Sequence, residues 1–122
     1  MISVIIPTLN EAGTIEGLLR SLREAGAKEI LVADGGSTDS TAQLASRYGT
    51  VLRSPRGRAA QMNHGARHAS GDVLWFLHAD TRIEAGAFEA MEEALGDPRV
   101  VGGNFDIVFE GGDNAARTFA WV

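Results

Sequence analysis

The sequence predicts an α/β protein: one domain over residues 1–122, with a mainly parallel sheet flanked by helices on both faces. Three observations predict it. Short, nearly continuous apolar runs alternate with stretches of helical spacing, as expected for strands covered on both sides and the helices that cover them. The alternation repeats every 25 to 30 residues or so, which fits strand–helix units joined by right-handed crossovers. Fifteen glycines fall singly or in pairs at the ends of apolar runs rather than in a low-complexity tract, where turns call for positive φ.

The first strand is Ile2 to Ile6, closed by Pro7. Ile15, Leu18, Leu19 and Leu22 then recur at helical intervals, with Glu16, Arg20, Arg23 and Glu24 on the opposite face. Glu29 to Ala33 is the second strand, and a second helix is expected from near Asp39, with Ser37 or Thr38 as cap and Ala42, Leu44, Ala45 and Tyr48 along it. Val51-Leu52 is a weaker strand candidate. A third helix, about Arg58 to Ala69, is rich in small residues that permit close approach to a sheet. Val73 to Leu77 is the next strand, followed by a helix from about Ala85 to Leu95 that stops before Gly96-Asp97-Pro98. Val100 to Phe109 reads as a further strand interrupted at Gly102-Gly103, and Phe119 to Val122 as part of another helix.

Composition excludes several functions. The formal charge is −5, from 11 basic and 16 acidic residues, which argues against a nucleic-acid-binding surface. With no cysteine, there is no disulfide framework, thiolate metal site or cysteine nucleophile, and a reducing cytoplasm is the compatible compartment. No apolar run approaches the roughly 20 residues of a membrane span, and the N-terminus lacks the basic flank of a signal peptide.

In open parallel sheets ligands bind beyond the carboxyl ends of the strands, and three predicted strand ends carry polar groups. The first is Pro7-Thr8-Leu9-Asn10-Glu11, where Asn10 or Thr14 equally suits a helix cap. The second is Asp34-Gly35-Gly36-Ser37-Thr38-Asp39, a carboxylate followed by glycines that let a ligand approach the backbone. The third is His78-Ala79-Asp80, which alternation would place on one side of the exit; imidazole and carboxylate suit Mg²⁺ or Mn²⁺ completed by substrate phosphates. The dinucleotide fingerprint after the first strand and the phosphate-loop motif are both missing. His64 and His68, four apart on the third helix, have Gly65 where a zinc protease carries glutamate, and read as surface histidines.

In order along the chain, S-V-I-I-P-T-L-N-E at 3–11, D-G-G-S-T-D-S-T at 34–41, G-R-A-A-Q-M-N-H-G at 57–65 and G-D-V-L-W-F-L-H-A-D-T at 71–81 resemble glycosyltransferase family 2, the inverting enzymes of the Rossmann-like GT-A fold. The G-R-A-A-Q-M-N and F-L-H-A-D-T stretches are similar to a bacterial subgroup, the arsenosugar-biosynthesis or radical-SAM/selenodomain-associated glycosyltransferases. The resemblance implies transfer of a sugar from a nucleotide-diphosphate donor, UDP-sugars favoured, with a divalent cation, Mn²⁺ or Mg²⁺. It implies that Pro7, Leu9, Asn10 and Glu11 line base and ribose, that Asp34 bonds the base beside Gly36, and that Arg58 and Asn63 fall in the segment flanking the nucleotide and phosphates. It further implies that Asp80, preceded by Ala79, holds the metal. Two positions depart from the family pattern: His78 replaces the first acid of Asp-x-Asp, so its metal role is secondary, and Gly35 replaces the acid that often follows Asp34.

Transfer also needs a general base for the acceptor hydroxyl. The family supplies it well beyond the Asp-x-Asp region, and Asp106, Glu110 and Asp113 do not stand in that context. The chain therefore reads as the N-terminal, donor-binding part of an enzyme whose acceptor-binding half is absent: a truncated gene product, a cloned fragment or one part of a split protein. A non-catalytic nucleotide-binding module is the alternative. A nucleotidyltransferase is disfavoured, since Thr8-Leu9-Asn10-Glu11 is not a glycine- and basic-rich loop. The acceptor, a homo-oligomer and peripheral attachment to the inner face of a membrane stay open.

Overall fold

In the computed structural model, which describes residues 1–107 and 118–121, β1 (Ile2–Thr8) lies inside a four-stranded parallel sheet. Its neighbours are β2 (Glu29–Asp34) and β4 (Val73–Phe76), and β3 (Thr50–Arg53) is the edge beyond β2. The order β3-β2-β1-β4 means the chain winds outward from β1 and then returns to β1's other side. Val51-Leu52 is thus the centre of a true strand, paired in register with Val32 and Ala33.

Alternation along β1 sends Ile2, Val4 and Ile6 into one core with Ile30 and Val32. Onto this face pack α1 (Ile15–Glu24), through Ile15, Leu18, Leu19 and Leu22, and α2 (Thr41–Ala45), through Ala45. α4 (Ala87–Leu95) adds Phe88 and Met91, with Phe88 edge-on to Trp75 at 5.3 Å between ring centroids. α3 (Arg58–His68) covers the other face, so helices do lie on both sides. No helix among the described residues is long and apolar enough to cross a membrane.

α3 fits because Gly65 has no side chain: a Cβ there would stand 2.5 Å from Ile5 Cγ2. Gly65→Ala is therefore expected to destabilise by about 1–2 kcal/mol through overpacking, despite the helix propensity of alanine. Gly17→Ala, in the first turn of α1 with nothing within 4 Å of the new Cβ, is expected to stabilise by about 0.5 kcal/mol. Urea midpoints of the two variants should move in opposite directions.

Three expectations are corrected. The second helix is one short segment starting at Thr41, and Tyr48 lies beyond it though packed on the core. Neither Ser37 nor Thr38 caps it, because both are drawn to the first loop or to Asp34; instead Asp39 Oδ1 accepts from the Thr41 N–H at 3.0 Å. The strand expected from Val100 begins only at Asn104, as β5 (Asn104–Ile107), and Phe109 lies outside the described residues. Last, Thr118–Trp121 is a strand, β6, antiparallel to β5, not part of a helix. Threonine and aromatic residues favour strands once a partner is available, and that partner, β5, lies outside the segment itself.

Candidate functional site

All four strands being parallel, their carboxyl ends emerge on one rim. Thr8 is in register with Asp34 and Ile5 with Phe76, so the exits of β2, β1 and β4 stand side by side. Two inter-strand spacings, roughly 10 Å, separate the outer two. The strand order reverses between β1 and β4, and that is where open α/β sheets form their ligand crevice. Pro7 helps to open it. The Leu77 N–H donates to the Ile5 carbonyl at 3.0 Å, and the next ladder bond on that side would need an N–H from Pro7, which has none. β1 continues to pair with β2 through Thr8 while β4 turns away.

The first two loops are tied together. Asn10, at φ 53, is the one non-glycine residue with positive φ among those described. Its backbone N–H donates to Ser37 Oγ at 2.9 Å, and its Oδ1 accepts from the Thr38 N–H at 2.8 Å. The Glu11 N–H donates to Thr41 Oγ1 at 2.9 Å, and the Ala12 N–H to Asp39 Oδ2 at 3.2 Å. Asn10 is thus not a cap of α1. Thr14 occupies that position, without a capping side-chain bond.

Asp34 is buried, and both its oxygens are occupied. Oδ1 accepts from the hydroxyls of Thr8 (2.9 Å) and Ser37 (2.5 Å), and Oδ2 from the N–H groups of Ser37 (2.9 Å) and Gly36 (3.2 Å). A carboxylate has about four acceptor positions, so these partners fill it. Burial pushes the carboxyl's pKa up, but the bonds from Ser37, Thr8 and Gly36 outweigh burial and hold it below the ordinary value. Gly36 sits at φ 98, which a side chain would strain.

The third exit is the opposite case. His78 is half-buried, Ala79 buried and Asp80 exposed. The Thr81 N–H donates to the His78 carbonyl at 3.0 Å, so residues 78–81 form a turn and strict strand alternation no longer places the two side chains. Neither has a side-chain hydrogen bond or ion pair among the described residues. No group of three or more His, Asp or Glu gathers among those residues to cage a metal. One uncommitted carboxylate with an imidazole nearby suits a hard divalent cation whose other ligands come from a phosphate and water.

Pro7, Leu9 and Glu11 are half-buried along the first exit. Arg58 opens α3 and is exposed beside the rim; Asn63 is also exposed, but about 7.5 Å further along the helix and turned away from Arg58. The rings of His64 and His68 lie 4.6 Å apart, tilted at 53° to each other, with His68 Nδ1 donating to the His64 carbonyl. Glu110 and Asp113 lie outside the described residues, as does the Asp106 side chain.

Two features were missed from sequence. Gln61 is buried, and Gly65 is the one other buried residue of its helix. In addition, residues 40–71 contain five arginines and no acid within an acidic chain. That charge segregation was visible in the sequence, whereas nothing in the spacing marked Gln61.

A parallel α/β sheet with a polar rim at its switch point is a Rossmann-like architecture, with the rim where such sheets bind ligands. Comparison with known proteins makes the class specific: residues 3–121 match glycosyl transferase family 2, and the chain belongs to that family. Glycosyltransferase AglE of Haloferax volcanii is 30% identical over 97% of this chain and 43% of its own length. Among solved structures, Staphylococcus aureus TarS (residues 1–349) superposes with a TM-score of 0.75 at 24% identity, over 92% of this chain and 37% of that one. Mycobacterium tuberculosis glucosyl-3-phosphoglycerate synthase, solved with Mn²⁺, UDP and phosphoglyceric acid, gives 0.66 at 26% identity, over 92% and 44%. The fold is thus GT-A. The chain spans less than half the length of the curated relatives it matches.

Proposed function

We propose that this chain supplies the donor site of an inverting glycosyltransferase, binding a nucleotide-diphospho-sugar along the rim from β2 to β4. The observation that carries this reading is the contrast between committed and uncommitted groups on one rim. Asp34 and Asn10 spend their acceptors on building the loops, while Asp80, His78 and Arg58, at the switch point and its border, have no side-chain partner among the described residues.

In this reading Pro7, Leu9 and Glu11 line the base and ribose. Asp34 holds the shape of the turn rather than bonding the base, because a base would have to displace one of its four donors. The diphosphate lies toward Asp80 and His78, which would hold a Mn²⁺ or Mg²⁺ ion. Such an ion, when bound, supplies Lewis-acid stabilisation of the charge that grows on the leaving diphosphate. Arg58, whose guanidinium can take two phosphate oxygens at once, adds positive charge from the α3 side. The acceptor and the general base belong to the wider enzyme. Mn²⁺ crystallised with UDP in a structural relative supports the choice of cation and of uridine donor.

Titration with UDP-glucose, with and without Mn²⁺, should show binding that strengthens when the ion is present. Absence of binding under both conditions would remove the reading.

A further inference from the structure

We propose that Gln61 is a positioning residue of the donor site: it locks the base side of the rim to the phosphate side, and it does so only because residue 35 is glycine. The inference rests on the donor-binding reading above.

Gln61 is 4% exposed. Its Nε2 donates one hydrogen to the Thr8 carbonyl and the other to the Ala33 carbonyl, each at 2.8 Å. Two carbonyl partners settle which end of the amide is nitrogen. Its Oε1 accepts from the Gly57 N–H at 3.1 Å, and the Gln61 N–H donates to the Gly57 carbonyl at 2.8 Å. One side chain thereby joins the last residue of β1, the end of β2 and the residue just before α3. Thr8 and Ala33 are on either side of the Asp34 turn, and Gly57 immediately precedes Arg58. Three of the amide's four hydrogen-bonding positions are spent inside the protein, so Gln61 acts through its neighbours and not by touching the ligand.

The space for this amide exists because residue 35 lacks a Cβ. An ideal Cβ on Gly35 would stand 2.8 Å from Gln61 Oε1 and 2.9 Å from its Cδ, closer than real contacts allow. The amide cannot swing aside without giving up buried carbonyl partners. Gly57, at φ 132, supplies the backbone conformation that aims its N–H at Gln61. The glycine after Asp34 and the glutamine four residues after Gly57 are therefore two halves of one device.

The device predicts a ligand-dependent signature. A ligand that reaches both sides of the rim needs their relative placement; one that touches a single side does not. UDP with Mn²⁺ and uridine alone are the two probes, titrated into wild type and variants well below the thermal midpoint. Gln61→Ala is expected to weaken UDP binding about tenfold more than uridine binding. A merely destabilised protein would lose both affinities in equal proportion. Gly35→Ala should reproduce the loss by displacing the amide, and should cost nothing further when added to Gln61→Ala, because the space is then vacant. If Gln61→Ala does not fold, Gly35→Ala and Gln61→Glu, which sets a carboxylate against two carbonyls, give the same reading. An unchanged UDP-to-uridine ratio in a folded variant, or additive losses in the double variant, overturns the role of Gln61 alone. Wild type that binds neither probe removes the donor-binding reading, and this inference with it.

Discussion

Asp34→Ala is expected to lower the unfolding free energy by about 3 kcal/mol, the largest stability loss of any single polar substitution on the rim. Four donors converge on this buried carboxylate. The Thr8 and Ser37 hydroxyls can rotate to other partners, but the N–H groups of Gly36 and Ser37 cannot, and hydrogen bonds to a charged group are each worth about 1.5–3 kcal/mol. The loss carries a pH signature. Asp34 titrates below the ordinary aspartate value of 3.8 when folded. Its contribution is therefore complete above that value and disappears as pH falls through the lower, folded one. Urea denaturation of wild type and Asp34→Ala from pH 7 downward should show a constant gap to about pH 4 that narrows below it. Glu29, Asp39, Asp72 and Asp97 are lowered as well, so only the difference between the two proteins isolates Asp34. A gap that widens on acidification would contradict the hydrogen-bonded carboxylate described here.

Asp80→Ala should do the reverse: leave stability nearly untouched and remove the metal's effect on donor binding. The side chain is exposed and has no partner among the described residues, so little folding energy depends on it. As the one acid of the third exit it would be the main protein ligand of the cation. The enhancement of UDP-glucose affinity by Mn²⁺ should fall by at least about tenfold, or about 1.4 kcal/mol. His78→Ala should lower it less, since imidazole is the softer ligand for a hard cation. Calorimetric titration with and without the ion measures both, and full retention of the Mn²⁺ effect in Asp80→Ala would move the metal elsewhere.

These substitutions show where a linear reading holds and where it fails. Period and punctuation located the strands and helices that build the core: the leucine spacing of α1, the apolar run of β1 closed by Pro7, and the small residues of α3 that let Gly65 sit on Ile5. Each depends on contacts repeated along a single segment, and such signals survive without a fold. They weakened where an element depended on a partner outside its own segment, as for β6, whose residues became a strand by pairing with β5.

The sequence by itself determined the order of elements from β1 to α4, the glycosyltransferase family and the polar residues at the three strand exits. Only the tertiary structure decided which of them remain available for a ligand. Asn10 meets Thr38 across 28 residues, Asp34 meets Thr8 across 26, and Gln61 meets Thr8 across 53. A polar side chain in a sequence carries the capacity to bond, but whether that capacity is spent inside the protein depends on what the folded chain sets beside it.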